Sequence, residues 1–439
     1  MQALVGGLKN RGRYVTLSVL FLATAVSFAD RSMLSITGSA MSEGLHLSPV
    51  ALGYLFSAFG WAYAIGQVPG GWLVDCLGPR RVYICSVLLW SAFIFLQGFV
   101  AWLRVPSAAI FALFSLLFLM GLCEAPVFPA NSRIVAAWFP AAERGTAAAV
   151  FNSSQYFAAA MFAPVIGWIT HALGWRYAPW FMGTVGFATA AVCIRSIYSP
   201  KEHPRIEAAE LEYIHKGGAL ADTDRASQRD AAAGCQLAML KRLLGNRMLL
   251  GVYLGTYCVT AVMYFFFTWF PIYLQARGMS LLQAGVVTAL PALCGFLGGI
   301  SGGTASDWLL RKGRSLTFAR KAPIMGGMLL VLGIVACNYV ASQWVIVLIM
   351  AVAYFGKGFG ALGWAVIADT APRQAAGLTA GVFNTFANLA AVTTPVVIGY
   401  LVAATGSFNR ALIFLGAHAV AAMLSYLLIV GEIHRLDFE

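Results

Sequence analysis

Apolar runs long enough to cross a lipid bilayer recur along this chain, and they leave it few ways to fold. Twelve runs approach or exceed the roughly 20 residues that a helix needs to span hydrocarbon. They cover residues 14–40, 50–73, 82–102, 107–137, 144–170, 176–195, 248–275, 281–308, 322–340, 344–370, 376–404 and 408–430. Hydrocarbon offers the backbone no partners, so each run must satisfy its own hydrogen bonds as a helix. With 60% hydrophobic and 10% charged residues, the chain is too apolar for a soluble domain. The expected fold is an all-α membrane bundle of twelve transmembrane helices. Its 45 glycines suit close helix contacts.

A net charge of +12 raises the question of nucleic acid, and the placement of the cations answers it. Arg104, Arg176, Arg277 and Arg410 lie in the short odd-numbered connections, and Arg31 and Lys357 lie inside spans. The other 23 of 29 cations fall at the termini or in and beside the even-numbered connections. Cations collect on the cytoplasmic side of membrane proteins, which puts both termini there and makes the basic surplus a topology signal. No nucleic-acid partner is expected. Lys9, Arg11 and Arg13 precede the first run as in a secretory signal, but that run is too long for one. It reads as a retained first span. The eight cysteines mostly sit in spans with no metal-ligand spacing, so neither metal nor disulfide framework is expected.

The longest polar stretch, residues 196–247, falls after the sixth span. It reads as a cytoplasmic linker with an amphipathic helix in "IEAAELEYIHKGG". It divides the chain into residues 1–195 and 248–439, two six-helix bundles. At one fixed offset Gly71 matches Gly303, Asp75 matches Asp307, Pro140 matches Pro372 and Gly145 matches Gly377. Phe151, Asn152 and Gly167 match Phe383, Asn384 and Gly399 in the same register. An offset of six helices gives both halves the same orientation. Parallel repeats with a site between them are a transporter plan.

The connection after span 2, "GWLVDCLGPRR", holds Gly71, Asp75, Arg80 and Arg81. Its counterpart, "GGTASDWLLRKGR", holds Gly303, Asp307 and Arg311. The glycine permits close helix approach. The acid and the cations can form a gating clasp that favours one packing of the halves. Leu310 stands where the first copy has Gly78.

Four charges lie deep in spans: Asp30, Arg31, Glu124 and Lys357. Each would cost about 2.5–3.5 kcal/mol facing lipid even on a lenient scale. They must face the interior, pair, or change protonation. Glu124 and Lys357 fall at nearly equivalent depths of spans 4 and 10, an acid on one half and a base on the other. A structural salt bridge and a transport site both fit that placement. A carboxylate whose neighbouring charge changes with substrate can couple to protons, which gives Asp30 and Glu124 a role. Arg31 offers a planar fork to a carboxylate and Lys357 a mobile point charge. Tyr63, Gln155, Tyr264, Trp364 and Asn384, with Asn388 less favoured, can read substrate hydroxyls or join helices. His418 reads as packing. "GKGFG" around Lys357 lacks the spacing of a phosphate loop, and no ATP site or other cofactor is expected.

"FADRSMLSITGS", "FSAFGWAYAIGQVPGGWLVD", "EAPVFPANSRIVAAWFPAAERGTA" and "FNSSQYFAAAMFAPVIGW" resemble the anion:cation symporters of the major facilitator superfamily. "LEYIHKGGAL", "TWFPIYLQARGMS", "GKGFGALGWAVIADTAP" and "YLLIVGEIHRL" narrow the likeness to the bacterial glucarate/galactarate transporters. The resemblance covers nearly the whole chain. It implies that Asp30 and Glu124 are protonation sites and that Arg31 binds a substrate carboxylate. Tyr63, Gln155, Trp364 and Asn384 would contact the sugar acid, and Lys357 matches the diacid-type sequences. Two departures stand out. Leu117 replaces an arginine common in relatives seven residues before the span 4 acid, and Phe28 replaces a tyrosine two residues before Asp30.

The expectation is a non-enzymatic, multi-pass protein of a bacterial inner membrane. It would take up a sugar diacid anion with protons by alternating access, can work as a monomer, and has the lipid bilayer as its other partner. The rivals are a sugar monoacid symporter for galactonate or a hexuronate, an exporter of amphipathic compounds, and a non-transporting sensor or enzyme. The buried charges oppose an exporter. A sensor would carry an output domain and a hydrolase a nucleophile-base or metal constellation, and the sequence offers neither.

Overall fold

The computed structural model describes residues 12–103, 105–140, 143–204, 206–217, 233–372 and 375–436, and every regular element among them is helical. In chain order these are α1 (Gly12–Leu45), α2 (Pro49–Leu77), α3 (Pro79–Gln97), α4 (Pro106–Glu124), α5 (Val127–Trp138), α6 (Arg144–Ala172) and α7 (Tyr177–Ser196). Next come α8 (Ala208–Lys216), α9 (Ala233–Gly245), α10 (Arg247–Thr268), α11 (Phe270–Ala276), α12 (Leu281–Val287) and α13 (Ala289–Arg311). The chain ends with α14 (Leu316–Leu332), α15 (Gln343–Gly358), α16 (Leu362–Thr370), α17 (Ala376–Thr405) and α18 (Asn409–Leu424). Among the described residues, eleven helical segments are long and apolar enough to cross a membrane.

Local chemistry sets many of the helix ends. Proline starts α2, α3 and α4 where its missing N–H costs nothing. Asn246 caps α10 through Leu249 N–H, and Ser280 with Gln283 forms a capping box on α12. Gly406, at φ 64°, closes α17 in the left-handed region.

Contacts group the chain into two compact units. The first joins Met1–Met33, Trp61–Phe162 and Ala172–Arg229; the second joins Leu34–Gly60, Ala163–His171 and Asp230–Glu439.

In the first unit the predicted linker helix forms as α8. Its buried Glu210 accepts the Gly12 and Arg13 N–H groups at 3.3 and 3.1 Å, and so caps α1 from another helix. Arg13 Nη1 and Tyr213 Oη both donate to Glu143, at 3.0 and 2.6 Å. In the second unit, Leu243 of α9 joins a core cluster with Leu249, Tyr253, Val366, Phe383 and Tyr426.

Two spans that read as continuous in the sequence are broken. Span 4 stops at Glu124, turns through Ala125–Pro126 and resumes as α5. Pro126 has no N–H to give the Leu122 carbonyl. Span 10 stops at Gly358, makes one 3₁₀ turn over Phe359–Ala361 and resumes as α16. Three glycines in "GKGFG" remove the side chains that would block this path. A Cβ on Gly356 would collide with the Gly327 carbonyl, and one on Gly358 with the Gly295 carbonyl. Lys357 is therefore held by backbone-to-backbone packing on both sides.

The glycines of the loop motif are a correction. A Cβ on Gly71 or Gly303 would meet nothing within 4 Å, so neither provides close approach. The glycine one position earlier does. A Cβ on Gly70 would stand 3.0 Å from Pro126, and one on Gly302 would stand 3.0 Å from Phe359. The sequence placed two adjacent glycines at each site, and the rotation of the helix chose between them.

Candidate functional site

In the first unit, α1, α2, α3 and α4 bring Asp30, Arg31, Tyr63, Trp90 and Glu124 into one buried cluster. Glu124 is 0% exposed, at the last position of α4. Arg31 donates to its Oε1 from Nε at 2.9 Å and from Nη2 at 2.5 Å. Ser27, one helical turn before Arg31, donates its hydroxyl to the same oxygen. Glu124 Oε2 is buried with no hydrogen-bond partner among the described residues. Both guanidinium donors thus converge on one oxygen instead of forking across two.

Aromatic rings flank the guanidinium. Its carbon lies 5.0 Å from the Phe28 ring centroid and 4.9 Å from that of Tyr63. Phe28 lacks the hydroxyl of a tyrosine but keeps the ring face, which is the part that attracts a cation. Leu117 is buried and apolar, so it adds no cation there. Arg31 supplies the cation for Glu124.

Asp30 is 3% exposed, and among the described residues neither of its oxygens accepts a hydrogen bond. It lies close enough to Arg31, Glu124 and the Trp90 indole to interact with each. The Trp90 N–H is itself buried and without a hydrogen-bond partner among the described residues. An acid in this setting holds its charge at a high desolvation cost or takes a proton. Gln155, the remaining predicted residue of this unit, is partly buried on α6.

In the second unit, Lys357 and Trp364 flank the 3₁₀ turn of span 10. Lys357 is partly buried, its Nζ 5.4 Å from the Tyr354 ring centroid, with no carboxylate at ion-pair distance among the described residues. Trp364 is 51% exposed and meets Phe383 edge-on, with ring centroids 4.7 Å apart. Asn384 is partly buried on α17, and its carbonyl accepts Asn388 Nδ2 at 2.9 Å. Tyr264, also partly buried, sits on α10 beside Phe267. His418 stays a packing residue by its contacts, between Phe414 and Tyr257.

The loop residues divide. The Asp75 side chain lies outside the described residues. Arg80 places its guanidinium 4.2 Å from the Tyr198 ring centroid, and Arg81 is exposed. Arg311 is also exposed and, among the described residues, reaches only the Asp307 carbonyl, at 3.4 Å. The cation that gathers acids here is Arg320 on α14, which the sequence reading passed over. It lies 3.9 Å from Asp307, donates to Asp369 at 2.8 Å and donates to Ser306 at 3.0 Å. Arg311 shares a helix end with Asp307 and points into open surroundings, whereas Arg320 enters from a neighbouring helix. Ser27 was also missed; no spacing rule separates it from the other hydroxyls of α1.

Eleven membrane-length helical segments with charges buried among them describe a membrane transporter more than a receptor or an enzyme. The Major Facilitator Superfamily profile matches residues 20–331, and the chain belongs to that superfamily. It is 54% identical over 431 residues to the "Probable galactarate/D-glucarate transporter GudP" of Bacillus subtilis, covering 98% of this chain and 94% of that one. It is 52% identical over 433 residues to the protein of the same name from Escherichia coli, covering 98% and 96%. The crystal structure of a D-xylose-proton symporter shares the fold, with a TM-score of 0.73 at 15% identity, over 96% of this chain and 98% of that one. The protein is thus a multi-pass transporter and not an enzyme.

Proposed function

We propose that this protein takes up a sugar diacid, D-glucarate or galactarate, together with protons across a bacterial inner membrane. The observation that carries this reading is the Arg31–Glu124 pair. One guanidinium edge is fully engaged by one carboxylate oxygen. It cannot hold a substrate carboxylate by that same edge at the same time. Protonation of Glu124 neutralises the competitor and frees Arg31 for substrate. Proton and sugar acid then arrive together, which is symport.

Asp30 serves as the second proton site, since it is buried and neither of its oxygens accepts a hydrogen bond among the described residues. Lys357 takes the far carboxylate, supported by its lack of a carboxylate partner among the described residues. Trp364 offers an exposed ring face, and Tyr63, Gln155, Tyr264 and Asn384 contribute hydroxyl contacts. The names of the 52–54% identical relatives support a diacid as the cargo.

The remaining architecture follows the same reading. The 29-residue helix Arg144–Ala172, about 43 Å long at 1.5 Å per residue, is the twelfth span. Both termini are cytoplasmic, residues 1–195 and 248–439 are the two rocking bundles, and residues 196–247 connect them. Asp75 with Arg80 and Arg81, and Asp307 with Arg320, gate the cytoplasmic side, and one chain suffices for transport.

The test is uptake of labelled D-glucarate into liposomes holding the purified protein. An inward proton gradient should drive accumulation, and galactarate should compete better than galactonate. Equal competition by galactonate would favour a monoacid cargo. Uptake indifferent to both Glu124→Gln and Lys357→Ala would remove the mechanism.

A further inference from the structure

Four hydroxyls on α1 share one habit, whereas Ser39, nearer the end of the helix, donates across to Gln275 Oε1 at 2.6 Å. Thr16, Ser18, Thr24 and Ser32 each donate to the carbonyl four residues back, at Gly12, Tyr14, Leu20 and Phe28. Such back-bonding satisfies a hydroxyl within its own helix. Ser27 departs from it and donates across to Glu124. A carboxylate is a stronger acceptor than a peptide carbonyl, which is reason enough to leave the helix.

Ser27 is 1% exposed, so bulk water cannot take its place. Its hydroxyl makes the third donor on Oε1, beside Arg31 Nε and Nη2. Oε2 of the same carboxylate has none and is buried. The distribution is one-sided: one oxygen is saturated and the other is bare.

We propose that Ser27 is a positioning residue for proton coupling: it holds the Glu124 carboxylate by Oε1 and so presents Oε2 as the atom that takes the proton. This rests on the reading of Glu124 as a proton site. When a proton from the aqueous phase binds, an O–H bond forms at Oε2 and the carboxyl becomes neutral. Oε1 then has only the acceptor strength of a carbonyl. The Ser27 hydroxyl can turn to the Ala23 carbonyl, the position its neighbours on α1 use. Loss of the proton reverses both changes. Ser27 thereby distinguishes the two charge states without itself titrating.

The experiment compares two modes of transport in liposomes. Proton-driven accumulation of D-glucarate needs Glu124 to change protonation in every cycle. Counterflow exchange of labelled for unlabelled D-glucarate, run at a pH low enough to keep Glu124 protonated throughout, needs binding and rocking without net proton movement. Ser27→Ala should lower accumulation roughly tenfold, the factor carried by one hydrogen bond to a charged group. Its counterflow should stay near that of the unaltered protein. Ser27→Thr keeps the hydroxyl and should restore accumulation. Ser27→Cys, similar in bulk and a weak donor, should show the split if Ser27→Ala does not fold. Accumulation by Ser27→Ala equal to the unaltered protein would overturn the proposal. So would accumulation and counterflow falling together in Ser27→Ala and Ser27→Cys, since that marks a merely structural role. If the unaltered protein itself shows no proton-driven accumulation, the functional reading fails and not the role of Ser27 alone.

Discussion

Gly66 and Gly70 on α2 face Ala125 and Pro126 where span 4 breaks; Gly298 and Gly302 on α13 face Phe355 and Phe359 where span 10 breaks. These two glycine pairs stand at the same repeat offset, so the halves use one scaffold twice. Each scaffold presents a charge beside the break, and the two charges are treated differently. Glu124 is fully buried under three donors. Lys357 is partly buried beside a neutral ring. One half satisfies its charge with ion pairing and hydrogen bonds, and the other gives its charge a ring face and no carboxylate among the described residues. In this fold a repeated architecture fixes where a charge stands. The neighbouring helices then decide whether it is a structural partner or an open hand.

The widest gap between the two regions should appear in stability. Arg31→Ala would strand a buried carboxylate and cost about 3–5 kcal/mol, whereas Lys357→Ala breaks no ion pair and should shift the melting temperature little. Thermal unfolding of the purified variants measures both. Adding Glu124→Gln to Arg31→Ala should recover most of the loss; no recovery would mean that Arg31 acts through packing instead of charge.

Next comes the scaffold. Gly298→Ala drives a Cβ into the Phe355 carbonyl, an overpacking that costs about 1–3 kcal/mol. Gly303→Ala meets open space and should melt with the unaltered protein. Equal losses in these two variants would refute the assignment of close approach to Gly298 and of open surroundings to Gly303.

A smaller effect belongs to α8. Glu210→Ala removes a side-chain cap from α1 and should cost about 1 kcal/mol, detectable as faster exchange of the Gly12 and Arg13 amides. A comparably small change in stability is expected at Lys357→Met, within about 1 kcal/mol for a cation over a ring. Its signature lies in binding. Stabilisation of the protein by D-glucarate should weaken, while stabilisation by galactonate persists.

Much of this site could be read from the chain alone. Asp30, Arg31, Glu124 and Lys357 stand out because charge in an apolar span has few tolerable explanations, and the repeat offset pairs Glu124 with Lys357 in depth. Arg31 as the cation for Glu124 follows because few deep cations compete. Other features resisted. Ser27 is one hydroxyl among several on α1, and Arg320 one cation among many near an even-numbered connection. Which one reaches across to a partner depends on helix rotation and crossing. Helices this uniformly apolar carry a faint record of either.

The breaks in spans 4 and 10 show the same division. Pro126 and the glycines of "GKGFG" announce a weakness in each helix. Only packing against Gly70 and Gly302 turns that weakness into a turn of defined shape. By itself the sequence determined the class of fold, the repeat and the residues whose charge demands a role, because the bilayer penalises every polar group that lacks one. The tertiary structure decided which oxygen, which glycine and which cation meet, because those choices depend on side-chain geometry between helices distant in the chain.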